Sequence, residues 1–547
     1  MFANKKKDNQ IKMINSNKKK KQIKLLEAFG KPKNESFDFG EIEKYFKKRD
    51  NSNAFQVLSD KTLKDLDFDE LFMFIDRTNS KVGQQYLYNK LRTLPLNSKE
   101  NEEQEKYINE FIDDPTFRAT VQSQLSKLND REAYYISSFF QDEHLKKPKW
   151  YFVVPFLSLI SLLSFILVFF YLKMFLVLVV VFIINMFIHY RNKNNLFQYI
   201  GSIPQLLKLN NTAHQLFKNS TLKDLNPGLG KSLKVIDDVK KHMSFFNLEA
   251  KMQTEAQIFF WGMLELIKTL FLIEPLLLFG VLKQIDTKKK EIEDIFMFVG
   301  MIDTFLSIAS LRAGLNNFCI PKIIQEQKTL DAKNVYHPLI YDCVKNSIHI
   351  ANKSILLTGS NMSGKTSFIR TIGINVITSL TLNTCFAEEF SMPRIRVFSA
   401  IRISDDLMND KSYYFEEVLT IKEMIDQSSS EYPNLFLLDE IFKGTNTIER
   451  ISAGKAVLSS LTKANNLVFV STHDIELADL LKDEYELYHF SESVNEKTVD
   501  FDYKLKIGKL KNRNAIRILE INGYPESIIN EAIGLSKELD KMNTAYK

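Results

Sequence analysis

Gly359-Ser360-Asn361-Met362-Ser363-Gly364-Lys365-Thr366 is the stretch on which the reading of this chain turns. It follows a short apolar strand, Ser354 to Thr358, and matches the pattern G-x-x-x-x-G-K-[ST] in full. In such a loop the glycines let the backbone wrap a phosphate, while the amides and the N-terminus of the following helix attract it. Lys365 is expected to reach the β and γ phosphates and Thr366 to offer its hydroxyl to Mg²⁺, with Gly359 to Ser367 forming the binding segment. The expected cofactors are ATP and Mg²⁺.

Partners for that loop follow downstream. Asn434-Leu-Phe-Leu-Leu-Asp439-Glu440 is a buried-strand pattern ending in two carboxylates. Asp439 is suited to hold Mg²⁺ through water, and Glu440 to polarise the water that attacks the γ phosphate. A second apolar strand, Leu467 to Val470, leads into Ser471-Thr472-His473-Asp474, where His473 is placed to sense the γ phosphate. Each residue alone has a plain alternative, such as strand-end solvation for the carboxylates. Three strands in order, each ending in a residue type that phosphoryl transfer needs, point instead to ATP hydrolysis.

The rest of the chain is large enough for three or more folded units at 547 residues and 45% hydrophobic content. Three cysteines without paired spacing offer neither a disulfide framework nor a metal knuckle, which fits a reducing compartment. Residues 1–34 hold eleven lysines against two acids, so this tail carries +9 and the remainder −3. Such a run attracts nucleic acid or anionic lipid, and its plainer meaning is a solvated, disordered arm. No apolar stretch follows it closely, so it does not read as a secretory signal.

From Trp150 to Tyr190 the single formal charge is Lys173, inside a run of Phe, Leu, Val and Ile. A span needs about 20 apolar residues, so the run divides into Tyr151–Tyr171 and Met174–Tyr190, with Lys173 at the tip of a hairpin. Lys146, Lys147 and Lys149 flank the entry and Arg191 and Lys193 the exit, which places both ends on the cytoplasmic side of the inner membrane. A buried helical pair is the alternative, but it would show a polar face. Ile258 to Leu282 is also apolar, yet Glu265, Lys268 and Glu274 lie inside it and Pro275 interrupts it. Charges at a bilayer centre are costly, so this stretch reads as a packed helix, or as a re-entrant or paired segment.

The motifs resemble the MutS family more specifically than they resemble P-loop proteins in general. Thr358-Gly-Ser-Asn-Met-Ser-Gly-Lys-Thr366 is similar to TGPNMGGK[ST], and Ser404-Asp-Asp-Leu407 with Lys411-Ser-Tyr-Tyr-Phe-Glu-Glu417 to SDDL and [RK]STFxxE. Asp439-Glu-Ile-Phe-Lys-Gly-Thr-Asn-Thr447 resembles DEIGRGTST, and Ser471-Thr-His-Asp-Ile-Glu-Leu477 resembles ATHxxEL. Leu71 to Leu91, with Asp76-Arg-Thr78 and Gly83, looks like the start of the family's helical core, and Asp303 to Arg312 like its return to the ATPase. Phe501-Asp-Tyr-Lys-Leu505 and Gly523-Tyr-Pro-Glu526 resemble the closing strand and the helical dimerisation element.

That resemblance implies an α/β ABC-type P-loop NTPase domain at the C-terminus, preceded by an all-α core or lever domain that the transmembrane hairpin interrupts. The expected divisions are a basic, disordered segment at 1–60, core at 61–150, hairpin at 151–190, core and lever at 191–330, ATPase at 331–510 and dimerisation helices at 511–547. The resemblance also implies a homodimer in which Ser412 reaches the partner's γ phosphate, and contact with DNA. Two departures stand out. Residues 1–60 occupy the place where the family's mismatch-reading domain, with its Phe-x-Glu wedge, normally precedes the core, and the hairpin stands where relatives extend helices toward a DNA clamp. Phe415-Glu-Glu417 fits the wedge pattern literally but lies inside the ATPase signature.

The expected function is therefore a DNA-binding ATPase whose closure and reopening move a lever, in mismatch repair or another DNA transaction at the membrane. An ABC-like transport or remodelling protein is the alternative; two spans and the lack of an LSGGQ-like signature weigh against it. A vestigial tether is a third reading, opposed by the joint presence of Lys365, Thr366, Asp439, Glu440 and His473.

Overall fold

The computed structural model describes residues 23–97, 99–143, 148–239, 258–326, 328–360, 362–402, 413–494, 499–510 and 515–545. The chain divides into two compact units: residues 1–50, 75–90 and 103–314 form one, and residues 51–74, 91–102 and 315–547 the other. The architecture is mixed α/β, with the helical unit built mainly from the N-terminal part.

The helical unit is organised by five helices: α1 (Val153–Leu167), α2 (Met174–Phe217), α3 (Ile258–Phe271), α4 (Ile273–Asp286) and α5 (Lys289–Gly314). α1 and α2 pack against each other, with Lys173 at the N-cap of α2. α2 does not stop where the apolar run ends but continues to Phe217, with Pro204 inside it. Lys149–Leu167 and Met174–Arg191 are long and apolar enough to cross a membrane by length and composition. Side chains such as Phe156, Leu163, Phe175, Leu176 and Ile183 stand exposed along them. Lys289–Gly314 meets the same criterion but is 83% buried, as a core helix of the unit. Inside the segment expected to be a disordered arm, Phe39–Ile42 and Lys44–Lys48 form two short helices.

Two segments that the sequence singles out separately meet in this unit. Asp303 on α5 is fully buried and accepts hydrogen bonds from the backbone N–H groups of Asn79 and Ser80, each at 2.8 Å. A Cβ on Gly83 would lie 2.2 Å from Asp303 Oδ2, so that position admits only glycine without rearrangement. Burial pushes the Asp303 carboxyl up to about 6 despite these donors. Arg312, near the end of α5, grips Glu105 through two 2.7 Å hydrogen bonds.

The second unit is built on a six-stranded sheet. Its strands are β1 (Ser354–Thr358), β2 (Arg396–Ala400), β3 (Asn434–Asp439), β4 (Leu467–Thr472), β5 (Tyr485–His489) and β6 (Lys506–Ile507). Their spatial order is β6-β5-β1-β4-β3-β2, with parallel pairing everywhere except between β5 and β6. β1 and β4 are buried at every residue, as strands covered on both faces must be. Around them run α6 (Lys365–Leu382), α7 (Tyr413–Ser428) and α8 (Thr447–Leu461), and α9 (Ala515–Ile521) and α10 (Glu526–Ala545) follow the last strand. Leu356, Phe436, Leu438, Val468, Val470, Leu458 and Leu477 share one core cluster. At nearly 1.5 to 3 kcal/mol per buried large aliphatic or aromatic side chain, about what full burial contributes, this cluster fixes how the strands align and hence where their ends fall.

Residues 51–74 join this second unit by specific bonds. Asp65 accepts from Ser399 Oγ at 2.6 Å, Ile401 N at 3.0 Å and Arg402 N at 2.8 Å, holding the end of β2.

Candidate functional site

The register of the sheet decides where the site lies. Thr472 pairs with Thr358, and Ser471 with Asp439, so β1, β4 and β3 all terminate at one edge. The three segments read separately from the sequence are thereby brought together. Carboxyl ends of parallel strands are where open α/β sheets bind ligands.

The loop after β1 has the backbone that its glycines permit. Gly359 has φ +146°, and a Cβ there would lie 2.7 Å from the Phe490 carbonyl oxygen. Gly364 has φ +105° and caps the N-terminus of α6. Met362, at φ +69°, is exposed. Lys365 is buried and donates to the carbonyl oxygens of Gly359 and Ser360, both at 2.8 Å. Its burial lowers its pKa, against the opposing pull of Glu440 and Asp439. Ser360 Oγ donates to Glu492 Oε2 at 2.6 Å, and Ser363 Oγ to the Ser360 carbonyl at 2.8 Å. Ser367, in the first turn of α6, accepts from Thr371 Oγ1. Asn361 lies outside the described residues.

Asp439, at the end of β3, accepts from Thr366 Oγ1 at 2.8 Å through Oδ2 and from Ser471 Oγ through Oδ1. Thr366 and Asp439, the pair expected to serve Mg²⁺, are thus in direct contact. One hydroxyl and one carboxylate suit a hard cation that takes its remaining ligands from water and phosphate. Glu440 has a left-handed backbone, φ +52°. Its Oε1 meets His473 Nε2 at 2.6 Å and its Oε2 meets Lys443 Nζ at 2.8 Å. Burial opposes the ionised form, but the hydrogen bonds and charges of His473 and Lys443 outweigh it, holding the Glu440 carboxyl down at about 2. The next turn is braced from α7: Glu417, almost fully buried, accepts from Phe442 N at 2.6 Å. Arg450 secures Asp474, beside His473, with hydrogen bonds of 2.9 and 2.8 Å.

A cavity of about 480 Å³ opens beside the loop, lined among others by Tyr336, His337, Tyr341, Met362, Thr366 and Tyr503. Burial, followed by the nearby Arg370 charge, pushes the His337 imidazole down to about 4, so it is neutral at physiological pH. Sequence reading had not singled out this aromatic wall. The only signal for it is the cluster Tyr336-His337-Pro338, which carries no spacing rule. Ser412 falls at 403–412, outside the described residues, as do Ser404 to Leu407 and Lys411.

Residues 355–540 match the family described as MutS domain V. The DNA mismatch repair protein MutS of Thermotoga maritima is 26% identical over 320 residues, covering 57% of this chain and 40% of that protein. The DNA mismatch repair protein MSH3 of Saccharomyces cerevisiae is 28% identical over 276 residues, 48% of this chain and 27% of that protein. The DNA mismatch repair protein MutS of Aquifex pyrophilus is 26% identical over 252 residues, 44% and 29% respectively. The chain thus matches well under half the length of these relatives.

Proposed function

This chain belongs to the MutS family, and from that premise we propose that it is a membrane-anchored, DNA-binding ATPase whose ATP site is completed by a second copy of the chain. The observation that carries the reading is the convergence of Lys365, Thr366 with Asp439, and Glu440 with His473 at one sheet edge. A triphosphate would lie along the loop, drawing Lys365 off the carbonyls of Gly359 and Ser360 and onto its β and γ oxygens. The nucleoside end would enter the cavity beside neutral His337 and the tyrosines, where flat apolar faces favour a base. Mg²⁺, held by Thr366 and Asp439, would neutralise phosphate charge.

Glu440 is the group positioned to orient the attacking water, and its low pKa keeps it an ionised acceptor across the working pH range. To do so it has to exchange its contact with His473 or Lys443 for the water. That exchange gives His473 its sensing role: it is held by Glu440 until a γ phosphate competes for it. Ser412 of the partner copy would close the site from the other side. α9 and α10 would contribute to the dimer contact, a role supported by the exposed apolar side chains Ile528, Ile533 and Leu535 on α10. Closure on ATP and reopening on hydrolysis would then move the helical unit as a lever.

The hairpin of α1 and α2 is the membrane anchor, spanning twice with its ends and the ATPase unit on the cytoplasmic side. DNA contact is expected to run through phosphates and to be salt-sensitive. The test is the ATPase rate of the full chain in detergent, alone and with duplex, mismatched or branched DNA at low salt. Stimulation by one of them identifies the preferred structure. Active turnover with no binding to any of them removes DNA from the proposal and leaves the ATPase standing.

A further inference from the structure

The helical unit buries a group of charges that the nucleotide site does not use. Glu265 and Lys268 come from α3, Glu274 from the first turn of α4, and His189 from α2, one turn beyond Asn185. All four are at least nine-tenths buried, Lys268 and His189 completely. Lys268 Nζ meets Glu265 Oε2 at 2.6 Å and also contacts Glu274 Oε1. His189 Nε2 lies 3.2 Å from Glu265 Oε1, and its Nδ1 faces Glu274 Oε2 at 3.8 Å. That Nδ1, sealed from solvent and aimed at the group, makes no hydrogen bond among the described residues.

Packing alone does not ask for these residues. The helices around them are filled with Leu, Ile, Val and Phe, and a buried ion pair adds little stability over apolar side chains of the same volume. Ionisable groups sunk into an apolar bundle instead mark places where something is bound or moved. Here the ligand atoms of His189, Glu265 and Glu274 all lie within 4.8 Å of one another. Metal–ligand bonds of about 2.0 to 2.2 Å bring such atoms to within about 4 Å, so shifts under 1 Å would gather them. One imidazole nitrogen and two carboxylate oxygens suit a divalent first-row ion such as Zn²⁺ or Mn²⁺ better than Mg²⁺ or Ca²⁺, which prefer all-oxygen sets.

We propose that His189, Glu265 and Glu274 form a binding site for a divalent transition-metal ion, which takes the place of the Lys268 ammonium between the two carboxylates. Geometry supports the exchange: Lys268 Nζ already sits against one oxygen of each carboxylate, the position that an ion shared by Glu265 and Glu274 would take. The ion would then pin α2, α3 and α4 together. The site depends neither on nucleotide nor on whether the hairpin crosses a membrane.

The test uses the full untagged chain in detergent, stripped with chelator and free of nucleotide, titrated with ZnCl₂, MnCl₂ or MgCl₂. The expected result is one Zn²⁺ or Mn²⁺ per chain and far weaker Mg²⁺ binding. His189→Ala and Glu274→Gln should weaken binding at least about 100-fold, as loss of one of three ligands would. Lys268→Met should bind as tightly or more tightly, because the competitor for the carboxylates is gone. An Asp439→Asn background should leave the ion bound, which separates this site from the one beside Thr366. No stoichiometric binding by the wild-type chain overturns the proposal, whatever the variants do. Binding lost in Asp439→Asn, or abolished in a folded Lys268→Met as judged by circular dichroism, overturns it equally.

Discussion

Two lysines are buried among the described residues, and they keep opposite company. Lys365 lies against backbone carbonyls at the start of a helix, with glycines on either side of the loop and no carboxylate in hydrogen-bonding contact. Lys268 lies between two carboxylates brought in by different helices. An ammonium that is only lightly held, at a helix N-terminus rich in free amides, is set up to receive an anion. One clasped by carboxylates occupies ground where a cation belongs. On the two proposals above, the same residue type would serve a phosphate site in one unit and a cation site in the other, and the neighbours make the difference.

The contrast is broken first at Lys365. Lys365→Ala should lower ATP hydrolysis about 1,000-fold, in the range seen when one preorganised donor to a transferring group is lost, while thermal unfolding changes little. If turnover persists, the loop is not a phosphate site. Lys268→Ala should do the reverse. With chelator present it should cost about 3 to 5 kcal/mol of stability, the usual penalty for stranding buried partners, and added Zn²⁺ should restore most of that. Equal loss of hydrolysis in both variants, measured side by side, would erase the distinction.

Gly83→Ala sharpens the comparison, because Asp303 is a buried carboxylate held by neutral donors rather than by a lysine. The added methyl would meet Asp303 Oδ2, and about 1 to 3 kcal/mol of destabilisation is expected from such overpacking, read as a lower denaturant midpoint. The smallest effect concerns His337. Its folded pKa of about 4 is depressed below the ordinary 6.5, so its contribution is intact above pH 6.5 and is lost as the pH falls toward 4. Across that window the wild type should lose about 1 to 3 kcal/mol more stability than His337→Gln. Parallel pH curves would mean that the imidazole is not held neutral in the cavity wall.

What could be read from the sequence follows the range of the interactions. Lys365, Thr366, Asp439, Glu440 and His473 were legible because each sits at the end of a short apolar strand, and a parallel sheet places such ends together. Glu417 was visible as part of a motif, but its bond to Phe442 N was not, because it depends on how α7 folds back beside β3. Asp65 was invisible for the same reason: its partners lie more than 330 residues away at the end of β2. The His337 cavity wall has no periodicity that would announce it.

In the apolar stretch 258–282 the charges were seen, and they argued against a simple span. The structure shows where these charges go: Lys268 lies between Glu265 and Glu274, and His189 faces both carboxylates. Pro275 was read as an interruption. It sits in the first turn of α4, where a missing N–H costs nothing, and the break falls earlier, at Leu272 with φ +50°.

The account rests most heavily on Glu440 as the residue that orients the attacking water. The direct measurement is ATP turnover by Glu440→Gln beside the wild type, with bound nucleotide determined on the same samples. The expected result is retained ATP with hydrolysis slowed at least about 100-fold, as loss of a water-positioning group should produce. Turnover at the wild-type rate in that variant would contradict the assignment of Glu440 and, with it, the mechanism proposed for this sheet edge.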